Sequence, residues 1–399
     1  MGRSLNSLTI VNPITHPDWD NLVLSTPGAS FFHSVAWARV LSESYGYTPL
    51  YFTVIEHDKL RALVPLMEVK SFLTGKRGVS LPFTDYCEPI LEEGIAFEDL
   101  FNPIIDHGKK RGWRYIELRG GDRLVPRPSI LDPDQSTGNG SSIRNPQSAI
   151  RNPERLEPCA LNLAPDPPTR NPQSATGNRS FVSFFGHTLD LTKGETALYS
   201  GLRDSTRRNI KKAEKEKVEV RIESTPGAVG EFYRLNCLTR REHGLPPQPY
   251  HFFTEVYRQV ISRGNGFVAL AYVEGKAVAG NVYFYCGRQA IYKYGASDKK
   301  YQSLRASNLV MWEAIKRFCG DGFKSLCFGR TEPENDGLRQ FKRGWGTEEH
   351  PIRYFRYDLR QCAYVAGKQK GEPRYTGLFR ATPAPVLNVI GSLLYRHMG

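Results

Sequence analysis

The 399-residue sequence contains no apolar run that approaches the roughly 20 residues needed to cross a bilayer. Its first residues, MGRSLNSLTIVNP, lack the apolar core of a secretory signal. We therefore expect a cytoplasmic protein, which could work at the inner face of the membrane.

Cysteine is rare, and the spacing of the cysteines forms no recognisable motif. Seven cysteines are scattered along the chain, and no CxxC motif or Cys/His cluster occurs. Neither a disulfide framework nor a zinc site is predicted. HExxH, GxSxG and Walker motifs are also missing, so the sequence does not support metal or covalent catalysis. We expect no bound metal or cofactor; an acyl donor would come and go as a co-substrate.

One segment lacks aromatic residues altogether. Residues 126–180 hold ten of the 27 prolines and repeat the phrase RNPQSA. Such a composition cannot bury enough apolar surface to fold, which predicts a disordered insertion. Its removal leaves 344 residues, enough for two lobes. We assign residues 1–125 and 181–192 to the first lobe, 193–362 to a basic helix and the second lobe, and 363–399 to a C-terminal tail.

The two lobes show the same order of elements. Residues 49–70 predict a strand, a turn and a strand, and residues 266–297 predict three strands with two turns. In each lobe a helix then ends at a glycine, Gly112 or Gly322, and a short apolar strand follows. This order predicts an α/β (α+β) fold of two lobes, with mostly antiparallel mixed sheets and flanking helices, produced by internal duplication. Coincidence is the alternative, since helix–glycine–strand units are common.

The formal net charge is +13, which favours anionic partners. Much of the charge is concentrated in STRRNIKKAEKEK, residues 205–217. A capping-box pattern at Thr192 and Glu195, followed by apolar residues four apart, predicts one helix of about 24 residues. The first half of the basic run would bind phosphate groups, and the second half reads as a solvated helix end.

A second cationic region surrounds the strand AIYKYGAS. The loop after it leads into a predicted helix with Ser307 or Asn308 as its N-cap, and free amides at such an end suit a phosphate or an oxyanion. An ordinary strand–helix connection explains this segment equally well. Further on, Arg330 and Lys342 lie near aromatic residues, and their composition alone favours a solvated rim around a packed tryptophan.

Several motifs in order resemble the FemAB-related proteins: FFHSVAWARVLSESYGYTPLYF, SLPFTDYCEPI, LRDSTRRNIKKAEKEKVEV, ASNLVMWEAIKRFCGDGFKSLCFGR and FKRGWG. These proteins group with the Fem-type peptidoglycan-bridge aminoacyltransferases and the BioF2-like acyltransferases. The resemblance implies two GNAT-like lobes that move an acyl or aminoacyl group to an amine. It also implies a phosphorylated or lipid-linked cell-envelope or exopolysaccharide precursor as acceptor.

The donor implied by the resemblance is aminoacyl-tRNA or acyl-CoA. The glycine-rich pyrophosphate loop of acetyl-CoA enzymes is missing, and so is the long coiled-coil arm of some tRNA-dependent Fem proteins. Neither donor is therefore singled out. A non-catalytic protein that binds nucleic acid, tRNA in particular, is the competing hypothesis, and its binding would weaken steeply with salt.

Position, charge and the resemblance together give the candidate residues their roles. The residues expected to bind substrate are Arg207, Arg208, Lys211, Lys299, Arg305, Asn308, Arg330 and Lys342. The first three would hold acceptor phosphates, and Lys299, Arg305, Arg330 and Lys342 the donor or a second anionic group. Tyr292 and Tyr294, expected to face one side of their strand, would be catalytic and donate a proton to the leaving group.

The end of the chain carries a helical apolar stripe. Residues 385–398 are too few to span a membrane, but they could lie at a bilayer surface and suit a lipid-linked acceptor. Docking onto the protein's own surface is the alternative.

Overall fold

The computed structural model describes residues 8–120, 181–365 and 376–399. The predicted insertion at 126–180 lies outside these ranges. The first part of the chain forms β1 (Leu8–Val11), α1 (Trp19–Leu24), α2 (Val35–Tyr45), β2 (Thr48–Glu56), β3 (Lys59–Ser71), β4 (Gly75–Val79), β5 (Ile90–Leu91), α3 (Phe97–Arg111), β6 (Tyr115–Gly120) and β7 (Phe181–Asp190).

The second part begins with the basic segment and ends with β13. Its elements are α4 (Glu195–Gly201), α5 (Asp204–Lys215), β8 (Glu219–Glu223), α6 (Pro226–Glu242), α7 (Tyr250–Gln259), β9 (Gly266–Val273), β10 (Lys276–Cys286), β11 (Gln289–Ser297), α8 (Ala306–Gly320), β12 (Ser325–Thr331), α9 (Asp336–Arg343) and β13 (Glu348–Asp358). The tail contributes β14 (Ala363–Val365), α10 (Thr376–Ala381) and α11 (Ala384–Leu394).

The predicted duplication is confirmed in the strand pairing. In the first lobe β2–β3 and β3–β4 are antiparallel and β4–β6 is parallel; in the second β9–β10 and β10–β11 are antiparallel and β11–β12 is parallel. A long helix joins each parallel pair, α3 in one lobe and α8 in the other. Gly112 ends α3 with φ 70°, and Gly322 follows α8 with φ 73°. Glycine adopts this left-handed conformation without strain, which explains why a glycine ends or follows each helix.

All these strands join one sheet in the order β1-β2-β3-β4-β6-β13-β7-β12-β11-β10-β9-β8. The last strand of each lobe lies in the other lobe's half. β13 pairs with β6 of the first lobe, and β7 pairs with β12 of the second. β7 and β13 also pair with each other at the centre. The lobes therefore share a continuous backbone ladder, and the predicted boundaries between them stay a prediction.

A shared core adds to this connection. Trp37 of α2, which is fully buried, meets Phe252 of α7 at a ring separation of 6.2 Å and Phe284 of β10 at 5.9 Å. α2 can present this face because Ser34 caps its start and Gly46, at φ 71°, ends it. The first lobe's helix thus packs against aromatic residues of the second lobe.

The basic segment differs from its prediction. The single helix of about 24 residues is two helices, α4 and α5, because Leu202 and Arg203 adopt extended backbone between them. The capping box at Thr192 is also wrong: Asp190 accepts from the Thr192 N–H, and α4 begins at Glu195 after Gly194. Thr206, Ile210 and Ala213 form the buried side of α5, which packs on α8.

Candidate active site

β11 and β12 stop pairing after a short parallel stretch, and the region beyond this point, between the two strands, is here called the cleft. The two strands pair in parallel only over Gln289–Ile291 and Ser325–Cys327. Beyond these residues β11 bulges, leaving Lys293 without a partner on β10, and the register of β12 on β7 shifts between Cys327 and Arg330. Bulges re-aim side chains and end pairing, and they are frequent beside active sites. The side chains that follow on both strands can therefore meet across the cleft.

A loop of the first lobe, residues 81–88, reaches this cleft and carries Asp85. The loop is tied down at its backbone: Arg119 donates to two of its carbonyls at 3.3 Å each, and Lys293 donates to a third at 2.7 Å. The Tyr354 hydroxyl donates to the carbonyl of Asp85 itself. Three elements from both lobes thus hold Asp85 at a fixed place.

Lys293 faces Asp85. Its side chain is only 5% exposed, and its Nζ lies 3.7 Å from Asp85 Oδ2. Burial lowers the pKa of Lys293, while the nearby Asp85 carboxylate opposes the shift. The ammonium also lies 5.4 Å from the ring centre of Phe32, so aromatic faces surround the charge.

Lys342 of α9 also reaches the cleft. The residue is 3% exposed, and its Nζ donates to the carbonyls of Gly329 at 3.1 Å and Arg330 at 2.9 Å. Burial lowers its pKa to about 8, against partial opposition from Asp85. A Cβ built on Gly329 would lie 2.7 Å from Asp85 Oδ2, so the carboxylate packs directly on the backbone that Lys342 binds.

Arginines and an aromatic ring form one wall of the cleft. The guanidinium groups of Arg330 and Arg119 lie 5.1 Å and 5.2 Å from the ring centre of Tyr354. Glu117 accepts from Arg119 at 2.8 Å and from Arg356 at 3.0 Å. Burial alone would raise the pKa of Glu117, but these two arginines lower it to about 2. Glu117 is thus a fixed anion that holds Arg119 in place.

A cavity of about 550 Å³, here called the basic pocket, lies on the other face of α9. Three arginines line it, together with Gln340 and Asp336: Arg203, Arg339 and Arg343. Glu349 accepts from Arg339 and Arg343 at 2.8 Å each, and these bonds lower its pKa to about 2. Arg203 instead donates to the side-chain oxygen of Gln340 at 2.6 Å, in the amide orientation that turns this oxygen toward the guanidinium group. The partner of Arg203 in this contact is thus a neutral amide and not a carboxylate.

The predicted substrate-binding residues are spread over several places. Arg330 and Lys342 meet in the cleft. Arg207 donates to the Ser200 carbonyl at 2.7 Å and to Asp204, while Arg208 and Lys211 are exposed on α5.

Lys299, Arg305 and Asn308 lie before and within the first turn of α8, the helix that follows β11. Lys299 pairs with Glu242 at 3.7 Å. Neither Ser307 nor Asn308 is the helix cap: Arg305 is, with φ 59°, and no side chain caps α8 there. The binding roles of all eight residues stay predictions.

The two tyrosines do not share a face. Because the bulge at Lys293 inserts one residue, Tyr292 packs with Tyr283 at a ring separation of 5.7 Å, among residues that contact α8. Tyr294 packs on Phe253 of α7 at 5.5 Å, on the opposite side of the sheet. Burial raises the pKa of both hydroxyls, so both remain protonated at neutral pH. Their role as proton donors stays a prediction.

Sequence reasoning missed Asp85, Lys293 and the basic pocket. SLPFTDYCEPI was recognised only as part of a resemblance, although an acidic residue inside an apolar, aromatic segment is a usable signal. Within the described residues, no group of three or more His, Cys, Asp or Glu side chains is placed to hold a metal ion. The cleft instead brings one carboxylate and two buried lysines together, a set that can move a proton and stabilise a developing negative charge.

The comparisons with known proteins agree with this fold. A family model described as the acetyltransferase (GNAT) domain matches residues 200–343, a range that includes Lys293, Arg330 and Lys342. A search of curated proteins returned no match.

Solved structures cover nearly the whole chain. FemX matches with a TM-score of 0.60 and 13% identity, over 86% of this chain and 96% of its own. L-PGS from Bacillus licheniformis matches with a TM-score of 0.50 and 12% identity, over 96% and 97%. A tandem GNAT protein from the clavulanic acid biosynthesis pathway, solved without AcCoA, matches with a TM-score of 0.50 and 9% identity, over 88% and 98%. At these identities the likeness concerns the fold.

The fold is therefore that of the two-lobed, Fem-like GNAT proteins, and residues 200–343 form a GNAT acetyltransferase domain. The domain match at residues 200–343 indicates an acyltransferase.

Proposed function

We propose that the protein transfers an acyl or aminoacyl group to an amine of a phosphorylated cell-envelope or exopolysaccharide precursor. The observation that carries this proposal is the meeting of Asp85 from the first lobe with Lys293 and Lys342 from the second, at the place where β11 and β12 separate. The GNAT domain match favours this reaction over the competing hypothesis of a nucleic-acid-binding protein without catalysis.

In the proposed reaction the acceptor amine attacks the donor's carbonyl carbon directly. A C–N bond forms, and the C–O bond of an ester or the C–S bond of a thioester breaks. Asp85 takes a proton from the acceptor's ammonium group, which frees the lone pair for attack. The Lys342 ammonium stabilises the oxyanion of the tetrahedral intermediate. As this intermediate collapses, the protonated Asp85 gives its proton to the leaving oxygen or sulfur, and the attacking nitrogen releases its second proton to solvent. Alignment of the two substrates supplies much of the remaining acceleration.

The basic pocket supports a phosphorylated acceptor. Arg203 and Arg343 offer guanidinium donors, and Arg207, Arg208 and Lys211 extend the positive surface along α5. Planar guanidinium groups bind phosphate oxygens in pairs, which favours arginine at such sites. We therefore assign acceptor phosphates to this surface, and the donor to the region of Lys299, Arg305 and Asn308.

The donor is either acyl-CoA or aminoacyl-tRNA. AcCoA is named together with the similar tandem GNAT protein, which supports the first. The Fem resemblance and the similarity to FemX support the second. Purified protein given each donor, with radiolabel on the transferred group, would distinguish them.

Mass spectrometry of envelope precursors tests the function directly. Cells with the wild-type protein should contain precursors heavier by one acyl or aminoacyl group than cells without it. Cells with the Lys342→Met variant should resemble cells without the protein. Identical precursors and identical secreted polysaccharide in all three strains would contradict the proposal.

A further inference from the structure

α11 is only half covered by the protein. Leu387, Gly391 and Tyr395 form its buried side, and Gly391 packs against the backbone of Pro247. The opposite stripe, spaced by three and four residues, is apolar and open to solvent. It consists of Val386, Val389 and Leu393, the last of which is 65% exposed. Among the described residues, no helix is long and apolar enough to cross a membrane.

The turn between β3 and β4 continues this apolar surface. Its tip is Phe72, which is 84% exposed, and Leu73, also exposed. The Phe72 ring lies 4.5 Å from that of His397, just beyond α11, and Thr74 donates to the His397 carbonyl at 3.5 Å. The turn and the exposed stripe of α11 therefore border one another.

Positive charge flanks the tip. Lys70 and Lys76 are direct register partners across the β3–β4 hairpin, and both are exposed. Like charges placed opposite each other in a sheet repel. Glu68 Oε1 lies 3.4 Å from Lys70 Nζ and reduces this repulsion in part. Arg396, exposed after α11, adds a third cation. An anionic surface laid across the hairpin would favour all three.

We propose that Phe72, Leu73 and the exposed stripe of α11 form a docking surface for an anionic lipid bilayer. Two apolar groups at a hairpin tip can enter the region between headgroups and acyl chains, and the apolar side of α11 can lie in the same plane. The flanking lysines would meet lipid phosphates, because anionic leaflets attract basic segments. Charge complementarity selects a bilayer over a second copy of this chain, whose docking surface carries the same positive rim.

This inference deepens the proposed function, since a lipid-linked acceptor would be met at such a surface. It does not depend on turnover, because vesicle binding is measured without substrate. Failure of vesicle binding would leave the transferase proposal intact, and failure of transfer would leave the docking surface intact.

The test is co-sedimentation of the purified full chain with vesicles of phosphatidylglycerol, compared with vesicles of phosphatidylcholine. We expect binding to the anionic vesicles that weakens as salt is added. The variants F72S/L73S and V389S/L393S should each weaken binding at least about tenfold, since each removes several buried CH₂ groups. The matched control is Leu24→Ser, which replaces a leucine that is 55% exposed elsewhere on the first lobe and should bind like wild type.

Three results would overturn the inference. The wild-type protein could fail to bind anionic vesicles, F72S/L73S could bind them as tightly as wild type, or Leu24→Ser could weaken binding equally. Analytical ultracentrifugation tests the alternative that a second copy of this chain binds the docking surface. A wild-type dimer that is lost in F72S/L73S would assign the surface to that second copy. Unchanged circular dichroism and melting temperature show that each variant is folded.

Discussion

At the scale of single residues, the burial of Lys342 has a consequence for the pH dependence of the reaction. Burial lowers its pKa from 10.5 to about 8, so the group is charged below pH 8 and loses its proton above it. If the ammonium stabilises the oxyanion, kcat/KM should fall about tenfold per pH unit above that value. The Lys342→Arg variant should lack this decline, because arginine remains charged throughout.

The pH–rate profiles of both proteins measure this. A wild-type profile that stays flat to pH 10 would contradict the role given to Lys342, as would a Lys342→Met variant with full activity and an unchanged melting temperature.

Gly329 offers a second test at this scale, through the position of Asp85. Its φ of 70° is strained for any residue with a Cβ, and that Cβ would press on Asp85 Oδ2. Gly329→Ala should lower stability by about 1–2 kcal/mol and also lower kcat/KM at least about tenfold. Gly112→Ala is the control: its φ is also 70°, but no atom lies within 4 Å of the added Cβ.

Denaturant titration and steady-state kinetics on both variants distinguish the effect of backbone strain from the effect of displacing the Asp85 carboxylate. Gly112→Ala should lose a similar amount of stability and keep its activity. Equal activity in the two variants would show that Asp85 does not need its present position.

Sequence patterns cannot place individual side chains where the backbone departs from a regular period. Alternation predicted that Tyr292 and Tyr294 share a face, and one inserted residue at Lys293 reverses this. Arg330 and Lys342 were singled out from charge alone, and the structure adds the carbonyls and the carboxylate that surround Lys342 in the cleft.

At the scale of elements, α9 separates two regions with different expected roles. Lys342 faces the cleft, while Arg339 and Arg343 face the basic pocket. Arg203 enters that pocket from the break between α4 and α5, a break that the regular four-residue spacing of apolar residues did not reveal. If the pocket holds an acceptor phosphate, it acts in binding and not in the chemical step.

Arg203→Gln should therefore raise the KM of a phosphorylated acceptor about tenfold and leave kcat unchanged, because a hydrogen bond to a charged group contributes about 1.5–3 kcal/mol. Arg288→Gln, an exposed arginine in the β10–β11 turn, is the control and should change neither constant. A fall in kcat at unchanged KM would place Arg203 in the chemistry instead, and no change in either would remove the pocket from acceptor binding.

At the scale of the whole molecule, the repeated order of elements could be predicted from the sequence, whereas the strand pairing between the two lobes could not. Helix–glycine–strand units and hairpins are local patterns, so Gly112, Gly322 and the turns at Glu274 and Gly287 indicated the duplication from sequence. The pairing of β7 with β12 and of β13 with β6 links residues far apart in the chain, where no local pattern decides. Asp85 was missed for the same reason: its partners belong to the other lobe.

This exchange of strands predicts that the lobes unfold together. Each lobe's last strand is hydrogen-bonded into the other lobe, and Trp37 packs on Phe252 and Phe284 across the boundary. Neither lobe can lose its sheet without breaking ladders of the other. Peptides from β3 and β10 should therefore lose protection from hydrogen exchange at the same denaturant concentration, as measured by mass spectrometry.

Gly186 lies on β7, where β7 pairs with β13 at the centre of the sheet, and its substitution gives a second test of this prediction. A Cβ there would meet the ring of His350 on β13, so Gly186→Val should disturb the pairing of β7 with β13 and lower the midpoint for both peptides by the same amount. Gly227→Val on α6 faces no comparable contact and should affect the β3 and β10 peptides far less. Two separate transitions, with the first lobe opening alone, would mean that the exchanged strands do not couple the lobes, and that the cleft could be opened by rotating one lobe without loss of the other's fold.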